Sequence, residues 1–146
     1  MKLFSALEIS GSALGAERQR AEVVVANMAN AENTRTASGA PYRRKQVVFA
    51  SSANTPFPFV LAGFNRLAGG LPGVKLQRVV DDPTPPLMRY EPGHPDANAQ
   101  GFVAYPAINP ITEMVDLMGA VRAYQLNASA ITASKQMIQQ AIELLK

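Results

Sequence analysis

The chain has no cysteine, no tryptophan and a single histidine, His94. Without thiols there is no disulfide framework, no thiolate zinc site and no cysteine nucleophile to consider. His94 stands between two prolines in "PGHPDAN", a turn pattern, and Asp96 beside it reads as a turn former whose carboxylate accepts local backbone bonds. The paired carboxylates Asp81 and Asp82 lie in "VVDDPTPP", a strand running into a proline-rich turn, and no second cluster offers them an acid/base partner. The glycines of "AGG" and "LPG" near residues 68–73 lack the lysine and the strand-to-helix setting of a phosphate loop. An enzyme is therefore not expected, and neither is a metal or another cofactor.

Long apolar runs are also missing. No stretch approaches the roughly 18 to 20 apolar residues of a membrane span, so direct membrane insertion is not expected. The opening "MKLFSALEISGSALG" is interrupted by Glu8, Ser10 and Gly11, which speaks against a cleavable signal peptide; any export needs another route. The formal net charge is only +3. The one basic run, Arg43, Arg44 and Lys45, reads as the solvated start of a strand, so a nucleic-acid footprint is not indicated.

What is present is enough apolar material for a real core, 47% of 146 residues, and a strong periodicity at both ends. Near the C-terminus Met114, Leu117, Val121, Tyr124, Ala128, Ile131, Lys135, Ile138, Ile142 and Leu145 alternate spacings of three and four, a heptad seam with one charged exception. Asn109 suits an N-cap, Pro110 the first helical position, and Glu113 and Asp116 the positive end of the helix dipole. The pattern predicts a helix over 110–146, roughly 50 Å long at ~1.5 Å per residue. A weaker seam over 1–34 carries Leu3, Leu7, Ser10, Leu14, Glu17, Ala21, Val24 and Met28. If the helices run antiparallel with Leu14 opposite Ile138 and Leu7 opposite Leu145, the two charged exceptions Glu17 and Lys135 meet and fix the register.

Between them, residues 35–109 are rich in proline and glycine. Strands are expected over 45–50, 74–80, 87–90 and 102–105, making one small antiparallel β domain. Residues 50–72 form a loop insertion with Phe57, Phe59, Val60, Leu61 and Phe64 in no clear period. The fold class is α+β: long N- and C-terminal helices in an antiparallel, coiled-coil-like pair with a small β domain between them.

Apolar residues also lie off both seams, at Phe4, Ile9, Val23, Val25, Met118, Leu126, Met137 and Leu144. A helix apolar on several sides is normally surrounded, and four short strands cannot surround two such rods, so other subunits are the natural partners. The candidate subunit-packing residues are Leu7, Leu14, Val24, Asn27, Met28 and Asn30 on the first helix. On the second they are Met114, Leu117, Val121, Tyr124, Asn127, Ile131, Ile138 and Ile142. In "VVVANMANAENT", Asn27 and Asn30 read as amides that need specific partners between helices, and Asn33 as part of the helix end.

Five stretches carry a resemblance: "ALGAERQRAEVVVANMANAENT", "GAPYRRKQVVF", "GVKLQRVVDDPTP", "YEPGHPDANAQGFVAYPAIN" and "EMVDLMGAVRAYQLNASAI". Together they span most of the chain, which resembles the rod proteins of the bacterial flagellar basal body, in the rod and hook axial family. The resemblance implies a non-catalytic subunit of the proximal rod, with terminal helices lining a tube and a small outer β region. It further implies export through the flagellar type III apparatus without signal cleavage, a periplasmic location in the basal body, and contacts with FlgB, FliE, FlgF, FlgG and copies of itself. The stretch from 50 to 72 is longer and more apolar than the family pattern requires, and Ala107 stands where a polar residue is commoner. The alternative is a secreted type III adaptor or membrane-surface-binding protein with amphipathic helices, although the faces lack the dense Lys/Arg and Trp/Phe pattern of interfacial helices.

Overall fold

A computed structural model of the chain describes residues 3–52 and 73–144. Its elements in order are helix α1 (Leu3–Ala29), strands β1 (Lys45–Ser51), β2 (Val74–Asp81), β3 (Leu87–Tyr90) and β4 (Phe102–Tyr105), and helix α2 (Pro110–Glu143). The α+β class is as the periodicities indicate. Among the described residues no helix is long and apolar enough to cross a membrane.

Both helices have chemically defined ends. At the start of α2 the side-chain oxygen of Asn109 accepts the Ile111 N–H at 3.0 Å, the expected N-cap, and Pro110 occupies the position where a missing N–H costs nothing. At the end of α1, Asn30 turns its Nδ2 back onto the Ala26 carbonyl at 2.8 Å, and Asn33 donates to Asn30 Oδ1 at 3.1 Å while accepting the Arg35 N–H at 3.2 Å. Asn30 is thus a helix stop together with Asn33, not the interhelical amide the sequence suggests. Its side chain adds a second bond to a last-turn carbonyl that already accepts the Asn30 N–H at 3.1 Å.

The four strands match their expected positions to within a residue at each end, but they form two separate two-stranded sheets, β1-β2 and β3-β4, instead of one. The reason lies in Pro83, Pro85 and Pro86 between β2 and β3: without N–H groups these residues cannot extend a ladder. The β1-β2 pair is antiparallel, bracketed by Ser52 N–H to Gly73 O at 2.8 Å and Asp82 N–H to Arg44 O at 2.7 Å. In the β3-β4 hairpin Leu87 faces Tyr105 and Tyr90 faces Phe102. The loop joining these two strands is held by Asn98, whose Oδ1 accepts the N–H groups of Gln100 and Phe102, both at 2.9 Å.

The chain divides into two compact units. Among the described residues, one comprises 3–19, 49–52, 73–77 and 121–144. Here Ala16 and Ser134 are buried, and the Ser12 hydroxyl donates to Ile9 O at 2.7 Å and accepts the Val74 N–H at 3.0 Å. The other comprises residues 20–48 and 78–120, and buries Val24, Asn27, Val103, Ile108, Glu113 and Ala120.

The inward stripe of α2 follows the expected seam only in part: Leu117, Ala128, Ile131 and Ile138 are half-buried, but each fully buried residue stands one position before a seam residue. Glu113, Ala120 and Ser134 are buried, whereas the seam residues Met114 and Val121 are 55% and 44% exposed and Lys135 is exposed. Small side chains at 120 and 134 permit close approach, and ion pairs hold Glu113 inward, so the larger apolar residues turn out. Leu145 and most of the insertion, residues 53–72, lie outside the described residues.

Candidate functional site

At the centre of the second unit lies a polar clamp built on Asn27. Its Oδ1 accepts the Lys45 N–H at 2.9 Å and the Tyr42 hydroxyl at 3.2 Å; its Nδ2 donates to Lys45 O at 2.9 Å and to Glu113 Oε2 at 3.0 Å. These four bonds use the full capacity of a carboxamide. Two of them go to the N–H and C=O of one residue, so the amide stands in for a neighbouring strand at the first residue of β1. This answers why an asparagine sits in an apolar helix: at 1% exposure it is satisfied within its own chain, so it is not an amide awaiting a neighbouring subunit.

Glu113, also 1% exposed, receives Arg44 Nε on its other oxygen at 2.6 Å. Arg44 reaches Asp116 at 3.2 Å and Asp82 at 3.8 Å, and Arg20 lies 3.7 Å from Asp116. Arg44 is therefore the cation that makes a buried glutamate tolerable, which corrects the reading of the basic run as solvated. Only its neighbour Arg43 is exposed. Lys45 turns its ammonium onto Asp81 at 2.8 Å, and this bond raises the lysine pKa and lowers that of the aspartate. Burial raises the Tyr42 phenol, with Lys45 opposing the shift.

A second tie closes the end of the same unit. Asp96 accepts the Thr34 hydroxyl at 2.8 Å and lies 3.4 Å from Arg35; the Thr34 bond is the main cause of its lowered pKa. His94 accepts the Asp96 N–H at Nδ1 and packs its ring near Tyr105, the structural turn its prolines suggest. Asp82 accepts from Thr84 and Gln46. Among the described residues no cluster of three His, Cys, Asp or Glu could hold a metal.

The geometry also bears on helix pairing. The expected register, with Leu14 opposite Ile138, would bring Gln125 to Asn27; Glu113 is there instead, roughly three helical turns away. The pairing of α1 with α2 near Asn27 is thus set by the clamp and not by a leucine seam. Of the candidate packing residues, Val24 is buried in its own chain, and Leu7, Leu14, Met28, Leu117, Asn127, Ile131 and Ile138 are half-buried. Asn127 donates to Ala123 O in its own helix at 2.8 Å. Glu17 is half-buried. Met114, Val121, Tyr124 and Ile142 are exposed, and so are Ile111 (75%), Val115 (63%) and Met118 (55%). Ile111, Met114, Val115 and Met118 follow the spacing i, i+3, i+4, i+7 and so share one uncovered face of the first turns of α2.

Such a chain holds structural bonds and an open apolar face, and comparison with known proteins identifies its kind. A family model described as flagellar basal body rod FlgEFG protein C-terminal matches residues 99–144. The flagellar basal-body rod protein FlgC of Bacillus subtilis is 36% identical over 150 residues, covering all of both chains. The chain belongs to the FlgC family of flagellar basal-body rod proteins. The FlgC proteins of Borreliella burgdorferi, 35% identical over 153 residues with 100% and 99% of the two chains covered, and of an Escherichia coli O6:H1 strain, 38% identical over 144 residues with 99% and 98% covered, agree over the same full length. As an FlgC-family chain it is a structural rod subunit and not an enzyme. The residues that sequence reasoning missed, Tyr42 and Glu113 as partners of Asn27 and Arg44 as the partner of Glu113, carried a faint signal in "PYRRKQVVF": a tyrosine and an arginine just ahead of a strand, with a lone asparagine in an apolar helix to be satisfied.

Proposed function

We propose that this FlgC-family subunit joins its neighbours in the flagellar rod through the uncovered apolar face of α2, helping to form the drive shaft. The two terminal segments, 1–34 and 110–146, are the axial arms, paired in coiled-coil fashion within the assembled rod, and 35–109 is the outer β-rich part. The observation that carries this reading is the stripe of Ile111, Met114, Val115 and Met118, each more than half exposed. At ~1.5 to 3 kcal/mol for complete burial of each such side chain, covering what remains open contributes roughly 4 to 7 kcal/mol per subunit. Val121, Tyr124 and Ile142 extend the apolar surface further along the helix. The partners are FlgB, FliE, FlgF and FlgG subunits and copies of the chain itself, in the periplasmic proximal rod. The chain reaches it through the flagellar export apparatus without a cleavable signal.

The absence of cysteine from the chain makes a clean test possible. Met118→Cys and, as a control on the β3-β4 loop, Gln100→Cys each introduce a single thiol. In assembled basal bodies the thiol at 118 is expected to be shielded from a water-soluble maleimide and to cross-link to a neighbouring subunit, while in the purified monomer it reacts freely. Free labelling at 118 in the assembled rod would refute the proposal.

A further inference from the structure

Strand β3 is four residues long, and every one of them is exposed. It pairs with β4 in an antiparallel ladder, and one step beyond the pair of Tyr90 with Phe102 the Glu91 N–H bonds the Gly101 carbonyl at 2.9 Å. Bonded and non-bonded pairs alternate along such a ladder. Leu87 and Arg89 therefore give their main-chain groups to β4, while the N–H and C=O of Met88 and Tyr90 point out of the sheet edge. The fold closes two comparable outward positions with asparagines. Phe102 donates its N–H to Asn98 Oδ1 and accepts the Asn98 N–H, both at 2.9 Å, and Lys45 exchanges both its main-chain groups with the Asn27 amide. Among the described residues nothing does the same for Met88 or Tyr90.

The side chains at this edge are apolar and open, with Met88 56% and Tyr90 65% exposed and the Phe102 ring edge-on to Tyr90. Arg89 lies over the Tyr105 ring at 4.6 Å, and none of the ion pairs among the described residues includes it. An edge with unbonded N–H and C=O groups is a template for another strand unless charge or proline guards it. Here Pro85 and Pro86 guard only the approach to β3.

We propose that β3 takes an added strand from a neighbouring subunit of the assembled rod. The occupant is an extended segment that bonds the main chain of Met88 and Tyr90, lays apolar side chains beside theirs and sets a carboxylate opposite Arg89. Two copies of β3 cannot serve each other: the two-fold pairing that engages both Met88 and Tyr90 sets Arg89 against Arg89, and the shifted registers bring Pro86 or Pro92, which have no N–H, to the bonding positions. This contact is separate from the apolar face of α2 and stands whether or not that face joins the helices.

The test counts intact basal bodies from cells whose only copy of the chain is the variant. Proline at 88 removes the outward N–H and leaves the bonds of Leu87, Arg89 and Glu91 to β4 in place. Met88→Pro is expected to lower the yield of basal bodies by about tenfold or more, while Met88→Thr, which keeps the N–H and suits a strand, stays within about twofold of the parent. Arg89→Glu should lower the yield further than Arg89→Ala, because both lose the ring contact and only the first repels a carboxylate. Residue-resolved hydrogen exchange on parent basal bodies covers the case in which proline disturbs the hairpin itself: the Met88 and Tyr90 amides should be as protected as that of Arg89. Photo-methionine, activated in assembled basal bodies, reports the occupant, and residue 88 should cross-link to a non-helical segment of another subunit. Free exchange at 88 and 90, normal assembly of Met88→Pro, failure of Met88→Thr, a charge reversal no worse than the alanine, or a cross-link confined to the same polypeptide or to a neighbour's helix would each overturn the proposal.

Discussion

Replacing Asn27 by aspartate changes one atom of the clamp from donor to acceptor. Nδ2 lies 2.9 Å from Lys45 O and 3.0 Å from Glu113 Oε2; in Asn27→Asp an oxygen takes its place and faces two acceptors. The bonds from the Lys45 N–H and the Tyr42 hydroxyl to Oδ1 survive. Losing two donated bonds in a buried site costs about 2 to 3 kcal/mol. Two carboxylates at this separation repel by ~5 kcal/mol at an effective dielectric of 20, and Arg44 offsets part of that. The net loss at neutral pH is about 3 to 5 kcal/mol.

This loss depends on pH in a definite direction. Burial and the neighbouring carboxylate raise the pKa of the introduced acid in the folded chain above its unfolded value near ~3.9. Its protonated form restores an O–H donor to the clamp, and the stabilisation so recovered is complete below the unfolded pKa and lost as pH rises through the folded one. The deficit should therefore shrink to roughly 1 to 2 kcal/mol near pH 4 and grow towards pH 7. Urea unfolding of variant and parent, followed by circular dichroism at each pH, measures the difference directly. Asn27→Ala, which removes all four bonds without adding charge, should show a deficit that stays flat across the range. A flat deficit for the aspartate, or one below ~1 kcal/mol at pH 7, would refute the clamp as the reason for an asparagine at this position.

Two further outcomes follow from local geometry. A Cβ at position 73 would sit 2.5 Å from Ser12 Oγ, so Gly73→Ala should cost about 1 to 3 kcal/mol, with partial recovery when Ser12→Ala removes the obstructing hydroxyl; thermal unfolding of the three variants checks this. Asp96 has its pKa lowered by the Thr34 hydroxyl, so its tie is intact above the ordinary carboxylate value of 3.8 and fails as pH falls through the depressed one. An NMR titration of residues 33–36 should show that transition in the parent chain and not in Asp96→Asn.

Much was legible in the sequence because it rests on local physics. The Asn109-Pro110 start of α2 follows from which residues can cap a helix without wasting an N–H. The strands follow from paired valines in β1 and β2 and from aromatic residues in β3 and β4, each set between turn formers, and Asn33 as part of the helix end from its preference for local bonds. Position within a helix face was less legible. Met114, Val121 and Ile142 look like an inward seam because periodicity registers where apolar residues recur, not which of two neighbouring stripes the chain itself covers. The two-sheet division was readable in hindsight from Pro83, Pro85 and Pro86.

By itself, the sequence determined the two long helices, the Asn109-Pro110 start of the second, the short strands and the excess of apolar helix surface, because each depends on residues adjacent in the chain or repeated at a fixed period; it carried the first helix to 34, where the structure ends it at Ala29. Only the tertiary structure decided that Asn27 is saturated by Lys45, Tyr42 and Glu113, that Arg44 is drawn inward, and that the small residues Ala120 and Ser134 turn in while Met114 and Met118 turn out. Those outcomes depend on bonds between segments as many as 86 positions apart. A buried charge takes the one arrangement that pairs it, and no local pattern encodes which distant residue supplies the partner.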